Sequence, residues 1–244
     1  MDVKEIVRGL FQRKMVVLLV AIVLLFVVLF NSGMFGGEDT RVRITCAGDS
    51  LTYGSGVLKT REIDSYPSQL QVKLGTSYLV SNYGLRNATA SASGDLPYVE
   101  SEQYKESLES KPDIVILMLG TNDTKTYNWN PEEYREGLLN LVKSYQNLEE
   151  QPVVYLMRSP YCFPIENREQ AEYSVQNDIV NGELGEIISS VAEEAGINVI
   201  DLKAVTVGKE YLYTDGIHFT AEGYDLISDT VYKEIKKIVK EETK

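Results

Sequence analysis

Residues 42–54 read VRITCAGDSLTYG. The first part, 42–46, is a short apolar and β-branched run, and residues 47–54 make a turn rich in Gly, Asp and Ser, so the chain is expected to leave a strand and turn at once. A serine on such a turn stands at the carboxyl end of a strand, where open α/β sheets bind ligands. Its hydroxyl is a poor nucleophile at neutral pH unless a base lies beside it. Without that context Asp49 and Ser50 serve equally well as a helix cap or a polar turn.

Outward from this stretch the pattern repeats. Short apolar runs at 42–46, 78–81, 114–119, 153–157 and 198–200 alternate with amphipathic segments at 66–74, 98–109, 131–147, 170–194 and 221–239. Pro131 behind Asn130 suits a helix start, Gly196 a helix stop, and Thr220 with Gly223 three residues later another start. Strand–helix alternation with apolar strands predicts an α/β domain built on a parallel sheet covered on both faces. No repeat or low-complexity block divides it.

The 244 residues carry 24 Lys and Arg against 36 Asp and Glu, a formal charge of −12, with one His and two Cys. So acidic a chain repels phosphate backbones, which argues against nucleic-acid binding. Few soft ligands argue against zinc sites, iron–sulfur clusters and a disulfide-stapled scaffold. A Cys46–Cys162 disulfide is conceivable outside the cell, but the usual strand order holds strands one and four apart. Cys46 reads instead as a buried strand residue.

The N-terminus is different in kind. Residues 15–30, MVVLLVAIVLLFVVLF, are apolar throughout, and no charge appears until after residue 37. Residues 15–37 would make about 34 Å of helix at about 1.5 Å per residue, enough to cross a bilayer. Lys4, Arg8, Arg13 and Lys14 precede the run, so residues 1–14 are expected to be a short cytoplasmic tail and the rest to lie outside. The alternative is a cleaved signal peptide, against which stand the length of the run and the lack of a small-x-small site after Phe30.

Three further clusters stand out, two after predicted strands and one between a loop and the last helix. His218, the only histidine, lies in YTDGIHF (213–219) with Asp215 three residues before it; that spacing lets a carboxylate fix one ring nitrogen while the other acts as a base. LGTND (119–123) follows the third strand, and the Asn122 amide can donate to an oxygen that becomes negative during acyl transfer. SNYG (81–84) follows the second, and Gly84 lets a backbone N–H approach a substrate closely. Each alone is an ordinary turn, but together they supply nucleophile, base, orienting acid and oxyanion donors. No G-x-S-x-G occurs, and GSGVLKT (54–60) has Leu58 where a phosphate loop needs Gly.

In this order GDSLTYG, the Gly after the second strand, GTND and DGIH resemble the four blocks of the SGNH (GDSL) hydrolase superfamily, over residues 41–240. The resemblance implies a three-layer α/β/α, flavodoxin-like fold with five parallel strands, preceded here by one N-terminal transmembrane helix, the hydrolase domain taking residues 38–244. It implies Ser50 as nucleophile, His218 as base and Asp215 as its partner, with the Ser50 and Gly84 N–H groups and the Asn122 side chain as oxyanion hole, and no metal or organic cofactor. GTNDTKTYNW is similar to sialate O-acetylesterase-like members, although Thr126 stands where a proline often follows the Lys. The expected activity is hydrolysis of an acetyl ester on a carbohydrate or glycan. An O-acyltransferase on cell-wall or exported polysaccharide, a lipid-acyl esterase and an idle glycan-binding module are the alternatives. Asp49, Tyr53, Asp123, Tyr127, Trp129 and Tyr161, with Phe163, are the expected substrate contacts; for the aromatics, capping of the sheet edge is the competing reading.

Overall fold

The structure, a computed structural model, describes residues 15, 19–25, 39–165 and 172–242. The chain divides into two units, residues 1–40 and 41–244. In the first, residues 19–25 are helical and exposed. The rest of the span expected at 15–37 lies outside the described residues, apart from residue 15. Among the described residues no helix is long and apolar enough to cross a membrane.

The second unit is a five-stranded parallel sheet in the order β2-β1-β3-β4-β5. Its strands are β1 (Val42–Gly48), β2 (Tyr78–Gly84), β3 (Ile114–Met118), β4 (Val153–Arg158) and β5 (Asn198–Asp201). Every residue of central β3 is buried, which is why it reads as an unbroken apolar run. The step from β1 to β2 runs one way along the sheet and the later steps run the other. Right-handed crossovers therefore put Tyr66–Leu74 on one face and Glu102–Glu109, Pro131–Gln146 and Glu183–Ala195 on the opposite one. The last helix, Ala221–Glu242, packs on Tyr66–Leu74, completing three layers.

β1 and β2 run further than their apolar cores suggest. Pairing continues through Cys46 with Asn82, Ala47 with Tyr83 and Gly48 with Gly84, so SNYG is strand rather than loop. Two expected helices are broken. The segment 98–109 starts as a 3₁₀ turn, Tyr98–Glu100, and restarts at Ser101, whose side chain caps it by accepting from Tyr104 N–H. The segment 170–194 is divided into a 3₁₀ turn at Glu172–Ser174 and helices Asn177–Asn181 and Glu183–Ala195, parted at Gly182.

The core holds five fully buried tyrosines: Tyr66, Tyr98, Tyr134, Tyr145 and Tyr224. A buried phenol needs a partner, and each finds one. Three of those partners are backbone carbonyls close to the upper sheet edge: Tyr83 for Tyr98 (2.7 Å), Leu119 for Tyr134 (3.1 Å) and Ser55 for Tyr224 (2.5 Å).

Candidate active site

β1 ends at Gly48 and the chain enters a one-turn helix, Ser50–Tyr53, with Asp49 as its cap; Asp49 Oδ1 accepts from Leu51 N–H at 2.9 Å. Ser50 is thereby the first helical residue, held over the sheet edge and 7% exposed. From the other end of the domain, Tyr213 and Phe219 pair across a loop whose turn carries Gly216 at φ +83°. A side chain at Gly216 would meet the Phe163 carbonyl at 2.2 Å. Within this loop Asp215 Oδ1 accepts from the N–H groups of Ile217 (3.0 Å) and His218 (2.7 Å).

The loop brings the only imidazole to the serine. His218 Nε2 lies 2.8 Å from Ser50 Oγ, across 168 positions of sequence, and His218 Nδ1 lies 2.7 Å from Asp215 Oδ2. Burial works against charge on Asp215, but hydrogen bonds from the His218 ring and from two backbone N–H groups outweigh it and hold the carboxyl below its ordinary range. An ionised Asp215 accepts a hydrogen bond from Nδ1–H, fixing the tautomer that leaves Nε2 to accept from Ser50.

Over this chain opens a small cleft of about 130 Å³, lined by Ser50, Arg86, Asn87, Thr121, Asn122, Tyr173, Val175, Ile217 and His218. That is below the roughly 300–1,000 Å³ of pockets that enclose a drug-sized ligand. Asn122 is 5% exposed and gives one amide hydrogen to the Ala88 carbonyl at 3.1 Å, leaving the other for the cleft. The Ser50 N–H has no acceptor among the described residues.

Gly84 is not in the cleft. Its N–H donates to Asn82 Oδ1 at 2.9 Å, and a Cβ there would stand 2.2 Å from Tyr53 N. It is glycine because the end of β2 passes against the backbone of the Ser50 helix. The residue from this region that reaches the cleft is Asn87. It sits at φ +66° in a turn closed by Ala88 N–H on the Leu85 carbonyl, and its own N–H has no acceptor among the described residues. Asn is among the few side chains that accept this left-handed backbone. The cue in the sequence was an Asn in the third place of a tight turn.

The structure brings none of the expected substrate contacts into the cleft lining. Asp123 is buried and accepts from Ala90 N–H (3.0 Å) and Ser91 N–H (2.8 Å), tying the loop after β3 to the loop after β2; burial pushes its carboxyl up to about 6. Asp49 is buried as the cap, with Oδ2 unpartnered among the described residues, and burial pushes it up to about 7. Tyr53 lies under the Arg61 guanidinium, 4.1 Å from the ring centroid. Trp129 leans on Tyr134, Tyr161 stacks on Phe163, and Tyr127 points out beside Asp95. The aromatic that does reach the cleft is Tyr173, 56% exposed and edge-on to the His218 ring at 5.9 Å. It is delivered by a bridge between Lys125 and Val175 and by Thr126 N–H on the Ser174 carbonyl. In the sequence it was hidden inside a stretch read as helix. Cys46 and Cys162 are free and buried, and burial pushes both thiols up to about 12.

Comparison with known proteins agrees with this architecture. A carbohydrate acetylesterase from Sinorhizobium meliloti superposes with a TM-score of 0.68 at 22% identity, over 81% of this chain and all of that one. An aryl esterase from M. smegmatis superposes at 0.64 and 21% identity, over 80% of this chain and 99% of that one; at such identities the likeness is one of fold. In sequence, an acetylxylan esterase from Xylanibacter ruminicola is 30% identical over 213 residues, 82% of this chain but only 44% of that protein. An isoamyl acetate-hydrolyzing esterase from Schizosaccharomyces pombe is 28% identical over 80% of this chain and 75% of that one. Residues 46–226, from the strand that delivers Ser50 to the helix that follows His218, match the GDSL-like lipase/acylhydrolase family, and the chain belongs to it.

Proposed function

We propose that this protein is a serine esterase that removes short acyl groups, acetyl first, from a carbohydrate. The observation that carries the reading is the continuous hydrogen-bonded chain Ser50–His218–Asp215 at the floor of a small cleft. Ser50 Oγ attacks the ester carbonyl as Nε2 takes its proton, and Asp215 stabilises the imidazolium. The Ser50 N–H, the free amide hydrogen of Asn122 and the Asn87 N–H, in place of Gly84, hold the oxyanion. His218 then protonates the departing alcohol, and a water, deprotonated by the same nitrogen, releases the carboxylic acid and restores Ser50.

The size of the cleft favours an acetyl group over a long acyl chain, and the acetylesterase names among the relatives favour a sugar ester. Tyr173, exposed at the rim, offers a face on which a sugar ring can rest. We further propose that residues 15–37 anchor the enzyme in a membrane with the catalytic domain outside; the apolar run and the basic residues before it support this.

The test is a series of p-nitrophenyl esters run with the wild type and Ser50→Ala. The expected result is hydrolysis greatest for acetate, falling by octanoate, and abolished in a folded Ser50→Ala protein. Full activity in that variant would overturn the mechanism, and a preference for octanoate would favour a lipid ester.

A further inference from the structure

The cleft carries a cation that the ester chemistry does not use. Arg86 lines it beside Asn87, and among the described residues no hydrogen bond or ion pair engages its guanidinium. Two other arginines are committed: Arg61 to Tyr53 O and Glu62, Arg158 to Asp201. The remaining described lining residues include no Asp, Glu, Lys or second Arg, and the two nitrogens of His218 are taken by Ser50 and Asp215. No carboxylate among them is available to Arg86.

A guanidinium is a fork of donors without an acceptor, matched in plane and spacing by a carboxylate. The chain as a whole carries −12, so an anionic ligand is repelled unless a cation is placed for it. The turn that aims Asn87 at the cleft also fixes the backbone of Arg86, its second residue.

We propose that Arg86 binds a carboxylate on the sugar that bears, or neighbours, the acylated hydroxyl, making uronate-containing saccharides the favoured substrates. The proposal rests on the esterase reading and narrows its substrate class.

The experiment compares kcat/KM on three acetyl esters: p-nitrophenyl acetate, an acetylated neutral xylo-oligosaccharide, and an acetylated oligosaccharide bearing a uronic acid. The wild type is expected to prefer the uronate ester, with a KM that rises with salt. Arg86→Gln is expected to lower the ratio of acidic to neutral kcat/KM about tenfold, mainly through KM, as for loss of one partly exposed charged hydrogen-bonding pair. Arg86→Lys keeps the charge but not the fork and should recover part of the ratio. Equal losses on all three esters, or no preference for the acidic one, would overturn the proposal. Binding of the deacetylated uronate oligosaccharide to Ser50→Ala, with and without Arg86→Gln, reads the same contact without turnover. An approximately tenfold loss of affinity there supports Arg86 even if hydrolysis fails, and equal affinities overturn it. Wild-type inactivity on all three esters would count against the esterase reading alone.

Discussion

The two loops that converge on Ser50 are made differently. The bonds that place His218 are internal to segment 213–219: Asp215 accepts from the imidazole three residues on and from two N–H groups of the same turn, while Thr214 donates to the His218 carbonyl. The outside ties, Phe163 N–H on the Gly216 carbonyl and Tyr213 OH on the Tyr161 carbonyl, meet the segment elsewhere. The segment 82–91 is held from outside, by Asp123 on Ala90 and Ser91, Asn122 on Ala88 and Tyr98 on Tyr83. A loop whose functional bonds are internal carries its function in its own spacing. A loop held by others takes its register from contacts far away in the chain, and the residues it presents to the cleft are Arg86 and Asn87 rather than Gly84.

The sharpest way to break the first loop is Asp215→Asn, which leaves its shape but reverses the hydrogen bond to Nδ1; kcat should fall by about 10⁴ with little change in melting temperature. A loss below tenfold would mean that the imidazole is oriented by something else. On the segment after β3 that holds the second loop, Asn122→Ala should lower kcat by about 10²–10³ at nearly constant KM. An effect confined to KM would remove it from the oxyanion hole.

Asp49 lies between the loops and feels both the imidazole and Asp123. Its carboxyl is raised from 3.8 to about 7, so the folded state holds a proton that the unfolded state releases. Stability from this group is therefore fullest below about pH 4, declines as pH rises toward about 7, and is level above. Asp49→Asn, which can still accept from Leu51 N–H, should gain in stability over the wild type progressively between pH 4 and 7, by up to a few kcal/mol in denaturant unfolding. A difference that ignores pH would show that Asp49 is not protonated in the fold.

Gly84→Ala forces a Cβ against the Tyr53 backbone and should cost about 1–3 kcal/mol by denaturant unfolding. Asn87→Gly, by contrast, suits the positive φ and should alter stability by less than about 1 kcal/mol with activity largely kept. Were the two results exchanged, the register argued for this loop would be wrong.

Much of this was legible beforehand because it is local or periodic. The strands announce themselves as apolar runs, and an Asp three residues before a His on a glycine turn forms one hydrogen-bonded unit. What was not legible depends on contacts between distant segments. Gly84 looks like a loop residue, yet its pairing with Gly48 keeps it in the sheet. Asp49 and Asp123 look like polar contacts for a ligand, yet backbone N–H groups claim them. Tyr53, Trp129 and Tyr161 are aromatic and near strand ends, but neighbours take a face of each, and Tyr127 points outward. Tyr173 arrives through the Lys125–Val175 bridge and the Thr126–Ser174 hydrogen bond, which no periodicity encodes.

The buried phenols give the molecule an optical property. Tyr98, Tyr134 and Tyr224 each bind a carbonyl at the base of a different active-site loop, so ultraviolet bands of tyrosine locked in a chiral interior report whether those loops are seated. Near-ultraviolet circular dichroism can thus follow assembly of the catalytic platform with no added label, and loops exchanged by engineering can be screened for correct seating before any ester is offered.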